Sequence, residues 1–211
     1  MNLRKRNVLA PENVSNSNTK SKTCELDQKA QDNSYILFRD ALKLSRSEKL
    51  SILGGKYSNE SFERIFNKKG NNDNRRSQLY ISTENTIIEK IRNFLSDKGI
   101  MEGRYIDNLC IVRSEKGCAE QRFHWDYDPD QVKDLSVKPG SIIVGIENGS
   151  RIRLIGRKDM KIDEGDILFF EGDCIHAGAS YEEPNRRLHA YIDVPELKRL
   201  DNYTYYYNEE S

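Results

Sequence analysis

Residues 164–178, EGDILFFEGDCIHAG, contain a short apolar run that leads through a turn into a histidine. The run DILFF at 166–170 is rich in Ile and Phe and is bounded by turn residues, which is typical of a buried strand. Four more runs of this kind are IDNLCIVR (106–113), SIIVGIE (141–147), RIRLI (151–155) and RLHAYIDV (187–194). Because these short runs follow one another with close turn signals and no helical pattern between them, we expect an antiparallel barrel or jelly roll.

The chain before these strands has a helical pattern. Between Ser82 and Gly99 the apolar residues recur at the spacing of one helix face, and Gly99 can end the helix. The residues on that face are Ile87, Ile88, Ile91, Phe94 and Leu95. The sequence therefore predicts a mainly β fold with flanking helices, in which the helices N-terminal to the strands pack on one sheet.

The composition indicates a single domain preceded by a tail. Residues 1–34 are rich in Asn, Ser and Lys and poor in large apolar side chains, so they bury too little surface to offset the entropy of ordering. We expect this basic, Asn-rich tail to be disordered. Residues 35–211 are expected to form one domain, with a helical part at about 35–99, a β-barrel core at about 103–195 and a Tyr-rich C-terminal tail. We expect that tail to be an aromatic edge strand or a packing segment, with a patch that faces substrate or a partner as the alternative.

Charge and cysteine usage exclude several classes of protein. The 34 Lys and Arg residues balance the 34 Asp and Glu residues, which argues against a domain that is wholly a nucleic-acid clamp. No apolar run approaches the roughly 20 residues that a membrane helix needs. The four cysteines form no CxxC pair, which argues against a zinc ribbon and a thioredoxin-like site. Since no secretory signal is visible, we expect free thiols and an intracellular location, in the cytoplasm first, with nucleus and organelles left open. Nothing in the sequence indicates an obligate protein partner.

All three histidines lie in the strand-rich half of the chain. His124 begins the segment HWDYDP, and Asp126 follows two residues later. In an extended segment these two side chains project to the same side, so both can reach one ion. If His176 faces that strand, the three side chains form a set of two histidines and one carboxylate, which suits Fe(II) because three positions stay open. A single histidine on a strand is more often a packing residue, so the prediction depends on the three residues together.

The neighbours of these residues have simpler interpretations. Cys174 is expected to be a small buried filler rather than a ligand. His189 is expected to be a strand residue that at most contacts a metal ligand. Trp125 and Tyr127 should point away from the metal pair and serve in packing.

From about Ile106 to Pro195 the chain resembles the Fe(II)/2-oxoglutarate-dependent dioxygenases, whose core is a double-stranded β-helix (a jelly-roll or cupin-like barrel). The family signature is H-x-D, then tens of residues to a second histidine, then about ten residues to a basic residue. It is carried here by His124, Asp126, His176 and Arg187. The segments EGDILFFEGDCIHAG and NRRLHAYID also resemble the closing strands of the family.

The resemblance implies an enzyme in which His124, Asp126 and His176 are the catalytic metal ligands and hold Fe(II). It also implies 2-oxoglutarate as co-substrate, chelating the iron through its keto oxygen and C1 carboxylate, with Arg187 binding the far carboxylate. The implied reaction consumes O₂ and decarboxylates 2-oxoglutarate to succinate, coupled to hydroxylation or oxidative demethylation of a second substrate.

The arginine that binds the far carboxylate has two candidates. Strand alternation puts Arg186 on a face with three apolar residues, which are Leu188, Ala190 and Ile192. It puts Arg187 on the other face with His189, Tyr191 and Asp193. An apolar barrel interior would favour Arg186, whereas the resemblance of N-x-R-L-H-x-Y to related closing strands favours Arg187, which is our prediction.

The primary substrate stays open among small molecules, peptides and nucleic acids. Members of the nucleic-acid alkylation-repair branch carry a motif of the form R-x-N-x-T-x-R after the second histidine. This chain reads RRLHAYIDV there, which argues against that branch. Collagen-type prolyl hydroxylases usually carry Lys at the basic position, and no lysine occurs here between His176 and Lys198. Two other classes of protein remain as alternatives. One is a cupin-like metal protein that does not use 2-oxoglutarate, and the other is a non-catalytic barrel that serves as an interaction module.

Overall fold

The computed structural model of this chain describes residues 34–53, 62–65, 75–81, 86–200 and 203–208. The expected disorder of the N-terminal tail therefore lies, apart from Ser34, outside the described residues. The strands are β1 (Tyr35–Phe38), β2 (Glu63–Arg64), β3 (Arg76–Tyr80), β4 (Tyr105–Ser114), β5 (His124–Trp125), β6 (Gly140–Gly145), β7 (Ser150–Leu154), β8 (Met160–Ile162), β9 (Ile167–Glu171), β10 (His176–Gly178), β11 (Asn185–Asp193) and β12 (Tyr205–Tyr206). The helices are α1 (Arg46–Leu53), α2 (Thr86–Asp97) and α3 (Pro129–Val132).

The strands form two sheets that pack against each other. The larger, which we call the major sheet, has the order β1-β9-β6-β11-β4-β3-β2, and the smaller, the minor sheet, has the order β12-β5-β10-β7-β8. Neighbouring strands pair antiparallel throughout. Apolar side chains of both sheets, including Ile143 and Phe170 of the major sheet and Ile152 and Leu154 of the minor sheet, share one cluster. The predicted jelly roll is confirmed, and its five predicted strands coincide with β4, β6, β7, β9 and β11.

The expected helical part at 35–99 is corrected, because that region also contributes three strands, β1, β2 and β3. The apolar run YILF of β1 is compatible with a strand or with a buried helix, and its pairing with β9 decides between them. The strand β3 pairs with β4 and extends the major sheet on the other side. A second correction is the short helix α3, which interrupts the strand-rich half between β5 and β6.

The helices α1 and α2, which precede the main strands, pack on the outer face of the major sheet, as predicted. Four residues of α2 are buried, namely Ile87, Ile88, Ile91 and Leu95, and they share a cluster with Leu188, Ala190 and Ile192 of β11. The helix ends before Gly99, which has a φ of 72° and whose neighbour Ile100 donates its N–H back to the Leu95 carbonyl. This is the left-handed cap that glycine allows. Residues 82–85, where the predicted helix begins, lie outside the described part of the chain.

The helix α1 begins with a reciprocal capping pair. The carboxylate of Glu48 accepts a hydrogen bond from the Ser45 N–H at 2.7 Å, and the Glu48 N–H donates to the Ser45 hydroxyl at 3.3 Å. Lys90 of α2 donates to the same Glu48 carboxylate at 2.9 Å. One acidic side chain thus caps α1 and ties it to α2. Among the described residues, none of the helices has the length and apolar content that crossing a membrane requires.

Since alternate residues of a strand face opposite ways, β11 has one apolar face against the helices and a second face inside the barrel. The inward side chains include Arg187, His189 and Tyr191, which line a cavity between the sheets. Polar side chains of β11 therefore line the inside of the barrel, and α1 and α2 cover the outer face of the major sheet.

Candidate metal centre

Two short strands of the minor sheet bring the predicted histidines together. His124 of β5 and His176 of β10 are directly opposite in register, and their ring centroids lie 4.4 Å apart. Asp126 follows β5 by one residue and turns its Oδ1 towards both rings. That oxygen lies 3.9 Å from Nε2 of His124 and 3.6 Å from Nε2 of His176. The three residues predicted from the H-x-D…H pattern therefore meet at one point.

The three side chains offer one ligand atom each, and those atoms all lie within 4.8 Å of one another. Two ligands at about 2.1 Å from a common ion lie roughly 3 to 4 Å apart, so small movements would bring the set to bonding distance. Imidazole nitrogen with one carboxylate oxygen is a donor set that suits Fe(II) and other first-row divalent ions. The residues present fit a metal bound through two histidines and one carboxylate.

The two imidazoles are held in the orientation that a metal needs. Nδ1 of His124 contacts the carbonyl oxygen of Arg122 at 2.8 Å, and Nδ1 of His176 contacts the carbonyl oxygen of Cys174 at 3.1 Å. A carbonyl oxygen only accepts, so each Nδ1 carries the hydrogen and each Nε2 offers its lone pair to the centre.

The protonation states also fit metal binding. Burial, helped by the nearby His176, lowers the pKa of His124 to about 4, so this imidazole is neutral at neutral pH. Burial alone would raise the pKa of Asp126, but the neighbouring imidazoles of His176, His189 and His124 hold it below its ordinary value. Asp126 is therefore an ionised carboxylate, and a neutral imidazole beside a carboxylate is the form in which these groups ligate a metal.

The second oxygen of Asp126 has a different environment from the first. The Ser141 hydroxyl of β6 donates to Oδ2 at 2.5 Å. His189 of β11 has its Nε2 3.9 Å from the same Oδ2, beyond hydrogen-bond distance, and its side chain is 18% exposed. The expectation that His189 is a strand residue near a metal ligand agrees with this position.

Arg187 lies in the same cavity as the three candidate ligands. Its side chain is buried, and its Nη1 donates to the Ser114 hydroxyl of β4 at 3.0 Å. The guanidinium lies over the ring of Tyr181 at 5.4 Å, within cation–π distance. Burial lowers the pKa of Arg187 below its ordinary value, with Arg76 adding to the shift, yet an arginine stays charged at any physiological pH.

Arg186 faces the opposite way. Its guanidinium donates to the carbonyl oxygen of Leu53, at the end of α1. The interpretation that an apolar barrel interior would hold Arg186 is therefore not borne out, because the apolar face of β11 packs on the helices. Of the two candidate arginines, Arg187 is the one that lines the cavity.

The cavity between the sheets has a volume of about 130 Å³. Its wall includes the three candidate ligands and Arg187, together with apolar residues of both sheets such as Val112, Ile152 and Phe170. Tyr203 and Thr204 also line it, directly before β12. The C-terminal tail thus forms the expected edge strand at β12 and contributes to the cavity wall.

The loop before β5 is fastened to the strand that carries His176. Gln121 accepts a hydrogen bond from the Gly178 N–H at 3.0 Å through its side chain, and its own N–H donates to the Gly178 carbonyl at 2.9 Å. A Cβ on Gly178 would lie 2.5 Å from Oε1 of Gln121 and 3.3 Å from Cζ of Arg76. Arg76, fully buried on β3, donates to the carbonyls of Ala119 and Ala179 and so ties the major sheet to these loops.

The other expected packing residues behave as predicted. Cys174 is buried in the cluster between the sheets and is not one of the candidate ligands. Tyr127 is buried and donates its hydroxyl hydrogen to Asp193 at 2.6 Å, and Trp125 donates to the carbonyl oxygen of Asp173 at 3.2 Å.

Sequence reasoning missed Ser141, Ser114 and Gln121, because the partners of these residues lie 15, 73 and 57 positions away in the chain. A serine or a glutamine carries no motif of its own. The alternation of β6 does turn Ser141 to the same side as Ile143, which is the only signal that could have indicated an inward hydroxyl.

No protein-family model and no curated protein matches the chain. Solved structures do match. The viral collagen prolyl hydroxylase of Paramecium bursaria Chlorella virus-1, in its 2-oxoglutarate complex, has a TM-score of 0.53 and 17% identity, covering 80% of this chain and 99% of that chain. A prolyl hydroxylase of Trichoplax adhaerens, in complex with a hypoxia-inducible-factor peptide fragment, has a TM-score of 0.57 and 13% identity. The match covers 87% of this chain and 96% of that chain. HygX of Streptomyces hygroscopicus, with nickel and 2-oxoglutarate bound, has a TM-score of 0.57 and 8% identity. The match covers 82% of this chain and 87% of that chain.

These likenesses extend over nearly the whole length of each solved chain. At such low identity they establish the fold, which is the jelly roll found in 2-oxoglutarate-dependent oxygenases. A fold of this kind hosts more than one chemistry, so the function has to be argued from the residues of the cavity.

Proposed function

We propose that this chain is an Fe(II)- and 2-oxoglutarate-dependent oxygenase, an enzyme that oxidises a second substrate. The observation that carries the proposal is one cavity lined by His124, Asp126, His176 and the buried cation Arg187. A metal-binding set alone is common to many cupin-like proteins. A buried arginine in the same cavity adds the partner that a dicarboxylate co-substrate requires.

The roles of the ligands follow from their orientation. His124 and His176 would bind Fe(II) through Nε2, because Nδ1 of each ring is engaged by a backbone carbonyl. Asp126 would bind through Oδ1, the oxygen that faces both rings. Bound Fe(II) supplies the site at which 2-oxoglutarate and O₂ react, and three protein ligands leave coordination positions for both.

Arg187 would bind the far carboxylate of 2-oxoglutarate. Its planar guanidinium can give two parallel hydrogen bonds to a carboxylate, and burial strengthens that attraction because little water competes. The hydroxyl of Ser114 and the ring of Tyr181 hold the guanidinium in place. Because the co-substrate spans from the metal to the arginine, these contacts would fix its orientation in the cavity.

The overall reaction balances as a hydroxylation. One molecule each of 2-oxoglutarate, O₂ and substrate gives succinate, CO₂ and hydroxylated substrate, with one oxygen atom entering succinate and the other the substrate. Oxidative demethylation follows the same course when the hydroxylated carbon is a methyl group on nitrogen, which then leaves as formaldehyde. The similar prolyl hydroxylases make a hydroxylated product the first to test, with a peptide as one class of substrate.

We also propose a single domain and an intracellular location. The cysteines Cys110 and Cys174 are buried free thiols. Free thiols are typical of a reducing compartment, which supports the cytoplasm first.

The test is an anaerobic titration of the metal-free protein with Fe(II) and then with 2-oxoglutarate, followed by visible absorption. We expect a weak charge-transfer band that requires both additions, since the band arises only when the co-substrate chelates the iron. Succinate release in air, screened over peptides and small molecules, would then identify the substrate.

Two results would contradict the proposal. Iron binding without a band on addition of 2-oxoglutarate would favour the cupin-like alternative. Absence of iron binding would favour the barrel as a non-catalytic interaction module.

A further inference from the structure

We propose that Ser141 is a positioning residue for the metal centre, which holds Asp126 as a ligand through one oxygen only. The inference rests on the proposed role of His124, Asp126 and His176 in metal binding. It adds a function for a residue of the major sheet that lies outside the H-x-D…H pattern.

The two oxygens of the Asp126 carboxylate are divided between two tasks. Oδ1 faces the Nε2 atoms of His124 and His176, at 3.9 and 3.6 Å. Oδ2 accepts the hydrogen bond of the Ser141 hydroxyl at 2.5 Å. A hydroxyl bound to a carboxylate oxygen at this distance is a charge-assisted hydrogen bond, among the strongest that a neutral donor makes. The oxygen that would otherwise be free to turn towards an ion is thereby occupied.

Ser141 is rigidly placed for this task. It lies on β6, in the interior of the major sheet, where it pairs with Tyr191 of β11 on one side and with Phe170 of β9 on the other. Its side chain is fully buried. Because strands on both sides fix the backbone, the hydroxyl can move only by rotation about the Cα–Cβ bond, and only one rotamer points it at Oδ2 of Asp126.

Asp126 needs such an anchor more than the two histidines do. The β5 strand ends at Trp125, so Asp126 lies just beyond the sheet ladder. Each histidine is oriented by a carbonyl two residues away in its own segment. In the described part of the chain, the hydrogen bond that orients the Asp126 side chain comes instead from 15 residues away and from the opposite sheet.

The consequence for the metal is a fixed binding mode. With Oδ2 held by Ser141, Asp126 offers one oxygen, and three positions remain for a chelating co-substrate and O₂. Without the hydroxyl, Asp126 is free to turn away from the ion or to bind it through both oxygens, which would take a position that the co-substrate needs. Hydrogen-bond partners of metal ligands commonly change metal affinity by about 10- to 100-fold.

The experiment uses Co(II) as a spectroscopic probe, added to the metal-free full chain without any substrate. The dissociation constant and the visible ligand-field spectrum are measured for the wild type, Ser141→Ala, Ser141→Thr and Ser150→Ala, with circular dichroism as a check of the fold. Ser150 of β7 is the matched control because it is also a fully buried serine, but its hydroxyl donates to the side-chain oxygen of Asn185 at 2.9 Å rather than to Asp126.

We expect Ser141→Ala to weaken Co(II) binding by about 10-fold or more and to change the spectrum. Ser141→Thr keeps the hydroxyl and should retain the wild-type spectrum and affinity, and Ser150→Ala should leave both unchanged. Equal Co(II) affinity and spectrum in Ser141→Ala and the wild type would overturn the inference. So would an equal loss in Ser141→Thr and Ser141→Ala, because packing rather than the hydroxyl would then be responsible.

The inference and the proposed function fail in distinguishable ways. If the wild type does not bind Co(II) at all, the proposed metal centre is refuted, and the proposed role of Ser141 is refuted with it. If the wild type binds Co(II) and the serine variant matches it, the metal centre stands and only the role of Ser141 is refuted.

Discussion

Tyr206 of the last strand lies opposite His124 in register, so the C-terminal segment is paired with the strand that carries a candidate metal ligand. The N–H of Tyr207 donates to the carbonyl of Phe123 at 3.0 Å, and its ring meets that of Trp125 edge to face at 5.5 Å. The strand β12 therefore covers the edge of β5, which would otherwise be the free edge of the minor sheet.

Removal of residues 203–211 is expected to loosen the metal centre. The two-residue strand β5 would lose one of its two neighbours, and the cavity would lose the wall formed by Tyr203 and Thr204. We expect a melting temperature lower by about 2 to 4 °C, because a loss of about 1 kcal/mol has that effect on a domain of this size. Calorimetry and Co(II) titration would check this. Removal of residues 209–211 alone is the control, and equal behaviour of the two truncated chains would argue against a role for β12.

His176→Ala is expected to abolish metal binding while the fold persists. The ligand lies in a barrel whose cores are formed by other residues, so the loss of one imidazole should leave the secondary structure intact. We expect Co(II) affinity to fall by more than about 100-fold, because the loss of a ligand should cost more than the about 10- to 100-fold that the loss of a ligand's hydrogen-bond partner commonly costs. Absorption and circular dichroism would be measured together. Global unfolding of the variant would instead indicate that His176 is a structural residue.

Arg187→Ala is expected to weaken 2-oxoglutarate binding by about 30- to 100-fold, because a charge-assisted pair of hydrogen bonds to the far carboxylate would be lost. Arg187→Lys keeps the positive charge but lacks the planar guanidinium, so its affinity for 2-oxoglutarate should lie between that of Arg187→Ala and that of the wild type. The measurement is a titration of the Fe(II)-loaded protein with 2-oxoglutarate under anaerobic conditions.

Arg186→Ala is the matched control for that experiment, since Arg186 is adjacent in sequence but contacts the end of α1. We expect its affinity for 2-oxoglutarate to equal that of the wild type. A larger loss in Arg186→Ala than in Arg187→Ala would refute the assignment of the far-carboxylate partner to Arg187.

Glu48→Gln is expected to destabilise the fold at neutral pH and much less in acid. The hydrogen bond from Lys90, with those from Ser45, lowers the pKa of Glu48 from its ordinary value of 4.5 to about 2. A carboxyl whose pKa is lowered by folding stabilises the protein above its unfolded pKa, and that contribution is lost as the pH falls towards about 2. We expect a loss of about 1 kcal/mol at pH 7, since the pair is partly exposed to solvent.

Urea unfolding of both proteins at about pH 7 and about pH 3.5 would test this, because the difference should shrink at the lower pH. Glu183→Gln is the control, as its ion pair with Lys116 is largely exposed and should matter little at either pH. A difference that stays constant with pH would contradict a lowered pKa of Glu48.

The sequence predicted the parts of this molecule that depend on local pattern. Alternation and turn residues predicted the five main strands, and the spacing of His124, Asp126 and His176 predicted that they could share one ion. Neither β1 nor β3 was predicted, because a short apolar or mixed run becomes a strand only when a distant partner pairs with it.

The contacts around the candidate metal centre depend on tertiary structure, so they could not be predicted from the local pattern of the sequence. Alternation separated Arg186 from Arg187 correctly, but which face of β11 turns inward depends on where the helices pack. Ser141 reaches Asp126 across the barrel, from the sheet opposite the one that carries His124 and His176.

The close contact between Gly178 and Gln121 has an evolutionary consequence. A methyl group at position 178 would lie 2.5 Å from Oε1 of Gln121, so the Gln121 side chain would have to turn away and give up the hydrogen bond that it accepts from the residue 178 N–H. A substitution at 178 therefore removes the reason for a glutamine at 121, and descendants of this chain should show positions 121 and 178 covarying, with glycine at 178 favoured where glutamine remains at 121.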